Sequence, residues 1–183
     1  MDPRRHSFDP ARLYARGMRG QVRTALQMWP SLHAHLCDVV RQVAPHRALE
    51  VGAGTRPVTA GVPFRVSLDV APALLAGLGE HRVVGDVRRC PLRPDSFDLA
   101  VAADVLTHVP PGERAAVLRT LTHLAPRLLL LVNTRGPGAE CVGGESIADT
   151  LRVLDEAGLV SQCDEIPFAM PGGEVWRYAV VLG

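Results

Sequence analysis

Three carboxylates and two glycines are spaced along the chain in a way that suits a nucleoside-like ligand. Glu50, Gly52 and Gly54 lie in Glu50-Val51-Gly52-Ala53-Gly54-Thr55, directly after a short apolar run. A glycine at such a point lets the backbone turn tightly and approach a ligand that a Cβ would repel. Asp69 ends a second apolar run, where a carboxylate can accept hydrogen bonds from both hydroxyls of a ribose. Asp86 follows a third run, in Val83-Val84-Gly85-Asp86-Val87, and can accept from an exocyclic amine such as that of adenine. Each feature alone has a plainer reading: the glycines as an ordinary strand-to-helix turn, the aspartates as cap or turn residues. Their order along the chain, each at the end of an apolar run, favours a shared ligand.

The elements that must carry these residues can be read from the apolar pattern. Arg47 to Val51, Val66 to Val70, Val83-Val84, Phe97 to Ala102 and Leu128 to Val132 are short runs of the kind buried on both faces of a parallel sheet. Between and after them, helical patterns cover Ala71 to Leu78, Gly112 to Leu124 and Ser146 to Ala157. Two further strands are expected at Leu159 to Ile166 and Val175 to Leu182, with antiparallel pairing open to this last part. Residues 10 to 44 read as helical, broken at Trp29-Pro30, and Leu32, Leu36, Val39, Val40 and Val43 share one face until Pro45 ends the helix. The alternation predicts an α/β fold with a doubly wound, mostly parallel sheet. In such sheets ligands bind beyond the carboxyl ends of the strands, where strand order reverses. No stretch is long enough to be a linker, so residues 1–183 are expected to form one domain, with 1–44 as a helical lid and 45–183 as the core. The Gly-rich stretch Thr134 to Gly144 is expected to be a mobile loop beside the site.

With these residues in place, the sequence resembles the class I S-adenosylmethionine-dependent methyltransferases of small-molecule type. Their motifs read E/D-x-G-x-G, an acidic residue, G-D, S-F-D-x-V and E-V-L-x-H-V. Here they correspond to Glu50 to Gly54, Asp69, Gly85-Asp86, Asp95-Ser96-Phe97-Asp98, and Asp104-Val105-Leu106-Thr107-His108-Val109. The match spans roughly residues 47 to 132. The resemblance implies a Rossmann-like methyltransferase fold and S-adenosylmethionine as cofactor. It implies that Glu50 holds the glycine loop or reaches the cofactor's amino group through water, and that Gly52, Ala53 and Gly54 line the methionine portion. Asp69, with Val70 beside it, would bind the ribose. Asp86 and Val87 would flank the adenine, and Ala103 and Asp104 would lie near the sulfonium. Asp98 would brace a strand.

The chemistry such an enzyme needs is mainly alignment of an acceptor and exclusion of water. A hydroxyl acceptor would also need a base. His108 is the candidate, because it follows the fourth strand near the expected methyl position; the competing role is to brace the following helix. His33 and His35 could face the acceptor from the N-terminal helix, and His123 reads as a surface residue.

The sequence also departs from the family. Arg56 and Pro57 follow the loop where a third glycine is usual, and only 14 residues separate Gly54 from Asp69. The first helix is therefore expected to be short or absent, leaving the cleft more open on that side. Arg56 could reach a carboxylate or phosphate, or be solvated. Ala125-Pro126-Arg127 replaces the common P-G-G turn, with little effect expected on the site. The full G-x-G-x-x-G of dinucleotide-dependent dehydrogenases is absent.

Composition sets the outer bounds. The 183 residues are 47% hydrophobic, enough for a sizeable core, and net charge is +1, which argues against a broad nucleic-acid surface. The first 23 residues carry six arginines against two aspartates, which reads as a solvated helix face or a guide for an anionic substrate. Arginine replaces lysine throughout, excluding Schiff-base chemistry on lysine and pointing to a GC-rich, bacterial genome. Cys37, Cys90, Cys141 and Cys163 match no zinc spacing, so no metal is expected. No apolar run spans a bilayer and the N-terminus lacks a signal-peptide pattern, so a cytoplasmic protein without a membrane partner is expected. The expected function is methyl transfer from S-adenosylmethionine to a small-molecule acceptor, with secondary metabolites as one class, by a monomer or homodimer. The alternatives are a cofactor-binding enzyme catalysing a non-methylating rearrangement or cyclisation, and a degenerate, non-catalytic binding or scaffold domain.

Overall fold

A computed structural model of the chain describes residues 30–79, 81–134, 147–158, 162–169 and 175–182. Helix α1 spans Pro30–Val43, followed by strand β1 at Arg47–Val51 and β2 at Phe64–Asp69. A one-turn helix α2 (Pro72–Leu75) leads to β3 (Arg82–Val84), then β4 (Leu99–Ala103), α3 (Pro111–Leu124) and β5 (Leu128–Thr134). Helix α4 (Ile147–Glu156) and strands β6 (Gln162–Ala169) and β7 (Val175–Leu182) complete the order. Two single 3-10 turns, Val87–Arg89 and Leu106–His108, sit beyond β3 and β4.

The strands form one sheet in the order β3-β2-β1-β4-β5-β7-β6. The first five run parallel, with β1 flanked by β2 (Leu49 opposite Val66) and β4 (Leu49 opposite Ala100). Strand β7 runs antiparallel to β5, from Leu129 opposite Leu182 to Thr134 opposite Arg177, and β6 antiparallel to β7. The sheet is thus doubly wound and mostly parallel.

The unbroken apolar runs follow from burial of both faces. Leu49, Val51, Ala100, Ala102, Leu128 and Leu130 belong to one buried cluster with Val117, Leu118, Leu121 and Leu124 of α3 and Val153 and Leu154 of α4. Their neighbours Ala48, Leu99, Val101, Leu129 and Leu131 belong to a second cluster with Leu32, Leu36 and Val40 of α1. Successive residues of each strand therefore feed opposite layers, and neither face can be polar.

Two expectations change. The described part of the 1–44 segment, α1, is a layer of the core and not a lid over it, because its apolar stripe is sealed against the sheet. Helix α2 is four residues long instead of spanning Ala71 to Leu78; Pro72 starts it, and Gly77 and Gly79 follow its end. As expected from the short spacing, no helix forms between β1 and β2: residues 52–63 cross in turns, and Val58 and Val62 supply the apolar cover. Strand β6 is described from Gln162, and residues 159–161 of the expected strand lie outside the described residues. Residues 1–29 and 135–146, including nearly all of the Thr134 to Gly144 loop, lie outside the described residues. Among the described residues no helix is long and apolar enough to cross a membrane, and no cluster of His, Cys, Asp and Glu could hold a metal. Cys37 and Cys90 are free thiols.

Candidate functional site

Strand order reverses between β1 and β4, and the singled-out residues fall along the carboxyl edge on both sides of that switch. Gly52 and Gly54 follow β1, Asp69 ends β2, Asp86 follows β3, and Ala103 and Asp104 lie at the end of β4. At about 4.8 Å between strands, Asp86 and Asp104 mark the ends of an edge about 14 Å long.

The glycine loop is built by its backbone. Gly52 and Gly54 have φ of +63° and +55°, a region glycine enters at no steric cost. Gly52 N donates to Leu68 O at 2.7 Å, which folds the loop back over the end of β2. A Cβ on Gly52 would lie 2.5 Å from Val105 Cγ2, so the loop and the segment after β4 are in close packing. Ala53 is buried.

Asp69 joins this loop to the next. Its Oδ2 accepts from Gly54 N at 3.1 Å and its Oδ1 from Ala71 N at 2.9 Å. Burial pushes the Asp69 carboxyl above its usual range; N–H donation from Ala71, Gly54 and Val70 and the positive charge of His108 oppose the shift. A carboxylate offers about four lone-pair directions. Two are used here. Val70 beside it is half-buried.

His108 closes the turn after β4 and is half-buried. Burial lowers its pKa and the Asp69 charge raises it, so the two groups lie within electrostatic reach across the end of β1. Asp104, at the start of this segment, holds φ +57°, an uncommon conformation for a residue with a Cβ. Its N–H donates to Leu131 O at 2.9 Å. Arg114, 2% exposed, donates from Nε to Val109 O at 2.9 Å and ties the segment's far end to α3.

Other predicted residues are occupied differently. Glu50 is 1% exposed. Its Oε1 accepts from Val58 N at 2.9 Å, and its Oε2 from Thr59 N at 2.9 Å and Thr59 Oγ1 at 2.6 Å. It therefore anchors the turn beyond the glycine loop, with burial raising its pKa and these hydrogen bonds opposing the rise. Asp86 caps the following turn through Arg88 N at 2.9 Å and pairs with the Arg88 guanidinium at 2.5 Å, which holds its carboxyl below the usual range. Arg88 also reaches Glu113 of α3 at 3.4 Å. A groove of about 530 Å³ between this turn and α3 shares Asp86 with the edge but includes neither the glycine loop nor His108. The Val87 side chain lies in the core, and Ala103 packs half-buried against the α1 layer, so each offers the edge chiefly its backbone.

Asp98 Oδ2 accepts from His46 N and Arg47 N at 2.8 Å each, bracing the start of β1. His123 is exposed on α3 and bonds Arg119 O at 2.6 Å. His33 and His35 sit on α1. His33 is held against the Arg56 and Pro57 carbonyls and beside Cys37, 3.6 Å away. His35 Nε2 is buried with no partner among the described residues.

No protein-family model matches the chain, and no curated protein matches it in sequence. Solved structures do. The N-methyltransferase NodS of Bradyrhizobium japonicum WM9, bound to S-adenosylhomocysteine, superposes with TM-score 0.69 at 13% identity, covering 94% of this chain and 97% of its own. A S-adenosylmethionine-dependent methyltransferase of Leishmania major gives 0.66 at 15%, covering 96% and 85%. Magnesium protoporphyrin IX methyltransferase of Synechocystis PCC 6803, with S-adenosylmethionine bound, gives 0.60 at 15%, covering 96% and 92%. The fold is that of the class I methyltransferases.

Within that methyltransferase fold, sequence reasoning passed over several residues that shape the site. Val58 and Thr59 hold Glu50, Val105 sets the need for glycine at 52, Arg88 engages Asp86, and Arg114 pins the His108 segment. Arg88 alone carried a local signal, standing two residues after an aspartate cap. The others depend on contacts between distant segments.

Proposed function

We propose that the chain binds S-adenosylmethionine along the carboxyl edge of β1 to β4 and transfers its methyl group to a small-molecule acceptor. The observation that carries this reading is Asp69. It sits at the end of β2, locked by Gly54 N and Ala71 N, with acceptor capacity left over for a ribose hydroxyl. The residues present fit the group: a glycine turn with left-handed backbone beside Asp69, and a half-buried histidine across β1. Bound there, the cofactor would supply an electrophilic methyl on a sulfonium. Glycines 52 and 54 would admit the chain of the cofactor close to the backbone, and the Asp104 to Val109 segment would wall the site on the β4 side. His108, whose pKa burial lowers, could take a proton from an acceptor hydroxyl at a ring nitrogen.

One observation favours the non-catalytic alternative. Asp86 is engaged by Arg88, and Glu50 is sealed beneath the loop, so neither is offered freely to a ligand. Calorimetric titration with S-adenosylmethionine tests the binding, and mass spectrometry of products tests the transfer. Binding with a product heavier by one methyl supports the proposal. Binding with a product of unchanged mass leaves a rearrangement, and absence of binding removes the cofactor altogether.

A further inference from the structure

The connection from β1 to β2 lacks the helix that would present free N–H groups and a positive dipole end to an anionic ligand. The N–H groups at the corresponding place, on Val58 and Thr59, are consumed by the Glu50 carboxylate. These N–H groups are thus closed to an anion, and a buried acidic group lies beneath the loop. Cations on the surrounding elements are mostly engaged. Arg41 pairs with Asp38, and Arg65 donates to Ala60 O and acts on Glu50. His33 is held on the low side of its range by burial and by the nearby Arg56 charge. The Arg56 side chain is exposed, and among the described residues its guanidinium makes no hydrogen bond or ion pair, although the Arg56 carbonyl meets His33. It follows Gly54 by two positions, faces the α1 side of the loop, where its charge acts on His33 and Cys37, and does not act as counter-ion to Glu50.

We infer that Arg56 is the carboxylate-binding residue of this site, replacing the missing helix N-terminus and holding the α-carboxylate of the methionine half of the cofactor. This rests on the cofactor reading above. A guanidinium suits the task, since it stays charged and meets a carboxylate with two parallel N–H donors. Pro57, fixed in φ, stiffens the bend that presents it.

The test uses the full chain, with Arg56→Gln and Arg56→Lys, titrated calorimetrically with S-adenosylhomocysteine, its decarboxylated analogue, and 5′-methylthioadenosine. Arg56→Gln should weaken S-adenosylhomocysteine about tenfold, the scale of a partly solvated charge-assisted hydrogen bond. It should leave the two ligands without a carboxylate within about twofold of wild type. Arg56→Lys should recover part of the lost affinity. Equal weakening of all three ligands would assign Arg56 to loop structure, and unchanged affinity for S-adenosylhomocysteine would place the carboxylate elsewhere; either overturns the inference. Wild-type protein that binds none of the three would remove the cofactor reading and this role with it. Wild-type binding of 5′-methylthioadenosine combined with either of the first two failures would overturn Arg56 alone.

Discussion

Replacing Gly52 with alanine tests whether the glycine loop is shaped by its neighbour or merely by local turn preference. Two costs are expected. Holding a residue with a Cβ near φ +63° costs about 1–2 kcal/mol. The new Cβ would also fall 2.5 Å from Val105 Cγ2, so one of the two segments must yield. Overpacking of that kind costs about 1–3 kcal/mol. The smaller entropy of the unfolded alanine chain returns about 0.4–1 kcal/mol. A net loss near 3 kcal/mol results, which for a chain of this length lowers Tm by roughly 6–12 °C. Urea unfolding followed by far-UV circular dichroism gives the value, provided the slope with denaturant is unchanged. Val105→Ala removes the atom that the new Cβ meets and leaves the φ cost in place. In that background Gly52→Ala should therefore cost about 1 kcal/mol, a coupling of about 1–3 kcal/mol between the two positions. If Gly52→Ala costs the same in both backgrounds, the packing argument is wrong. If it costs less than about 0.5 kcal/mol in either, the backbone argument fails as well.

The remaining predictions concern the acidic residues of the edge. Glu50→Ala strands the Val58 and Thr59 N–H groups and should cost about 2–6 kcal/mol, at about 1–3 for each buried donor, measured by the same urea titration. The Glu50 pKa is raised in the fold, so its contribution is fully present below the unfolded value of 4.5 and is lost as pH rises through the folded value. Glu50→Gln should flatten the fall of stability with pH above 4.5, and identical slopes in variant and wild type would contradict this assignment. Asp69→Asn should move the His108 pKa further down, and His108→Gln should move the Asp69 pKa further up, since each charge steadies the other; NMR titration of ring and carboxyl signals reads both, and independence of the two would separate them in space. Arg88→Ala should return the Asp86 pKa toward 3.8 while costing less than about 1 kcal/mol, because the pair is partly exposed; a larger loss would make it a structural pair.

The sheet was legible because its chemistry is repetitive. Leu128 to Leu131 supply both core layers in turn, so the run has to be continuously apolar, and the same holds for Leu99 to Ala102. The positions of Gly52, Asp69 and Asp86 followed from those strand ends, since a residue at the end of a parallel strand has only one edge to occupy. What a side chain does at that edge was less legible. Val87 and Ala103 are expected as ligand neighbours from their place in the motif, while the Val87 side chain lies in the core and Ala103 packs half-buried against the α1 layer. The expectation of a lid over 1–44 rests on the lack of an inserted domain; in its described part, α1, the apolar stripe at Leu32, Leu36 and Val40 is what draws the helix onto the sheet.

The short β1-to-β2 connection explains why Glu50 and Asp69 differ, although both are acidic residues at strand ends with pKa values raised by burial. Without a helix after the glycine loop, the chain must still cross from β1 to β2 and cover the sheet, which it does with Val58 and Val62. A turn placed under that cover has backbone N–H groups facing the interior, and buried donors must be satisfied. Glu50 is the acceptor that can reach them, and in doing so it gives up its lone pairs to the protein. Asp69 meets the loop from the neighbouring strand, receives one N–H on each oxygen, and keeps acceptor capacity at the edge. Shortening the connection therefore turns one carboxylate into scaffold and leaves the other with acceptor capacity at the carboxyl edge, a division that the order of residues in the motif does not reveal.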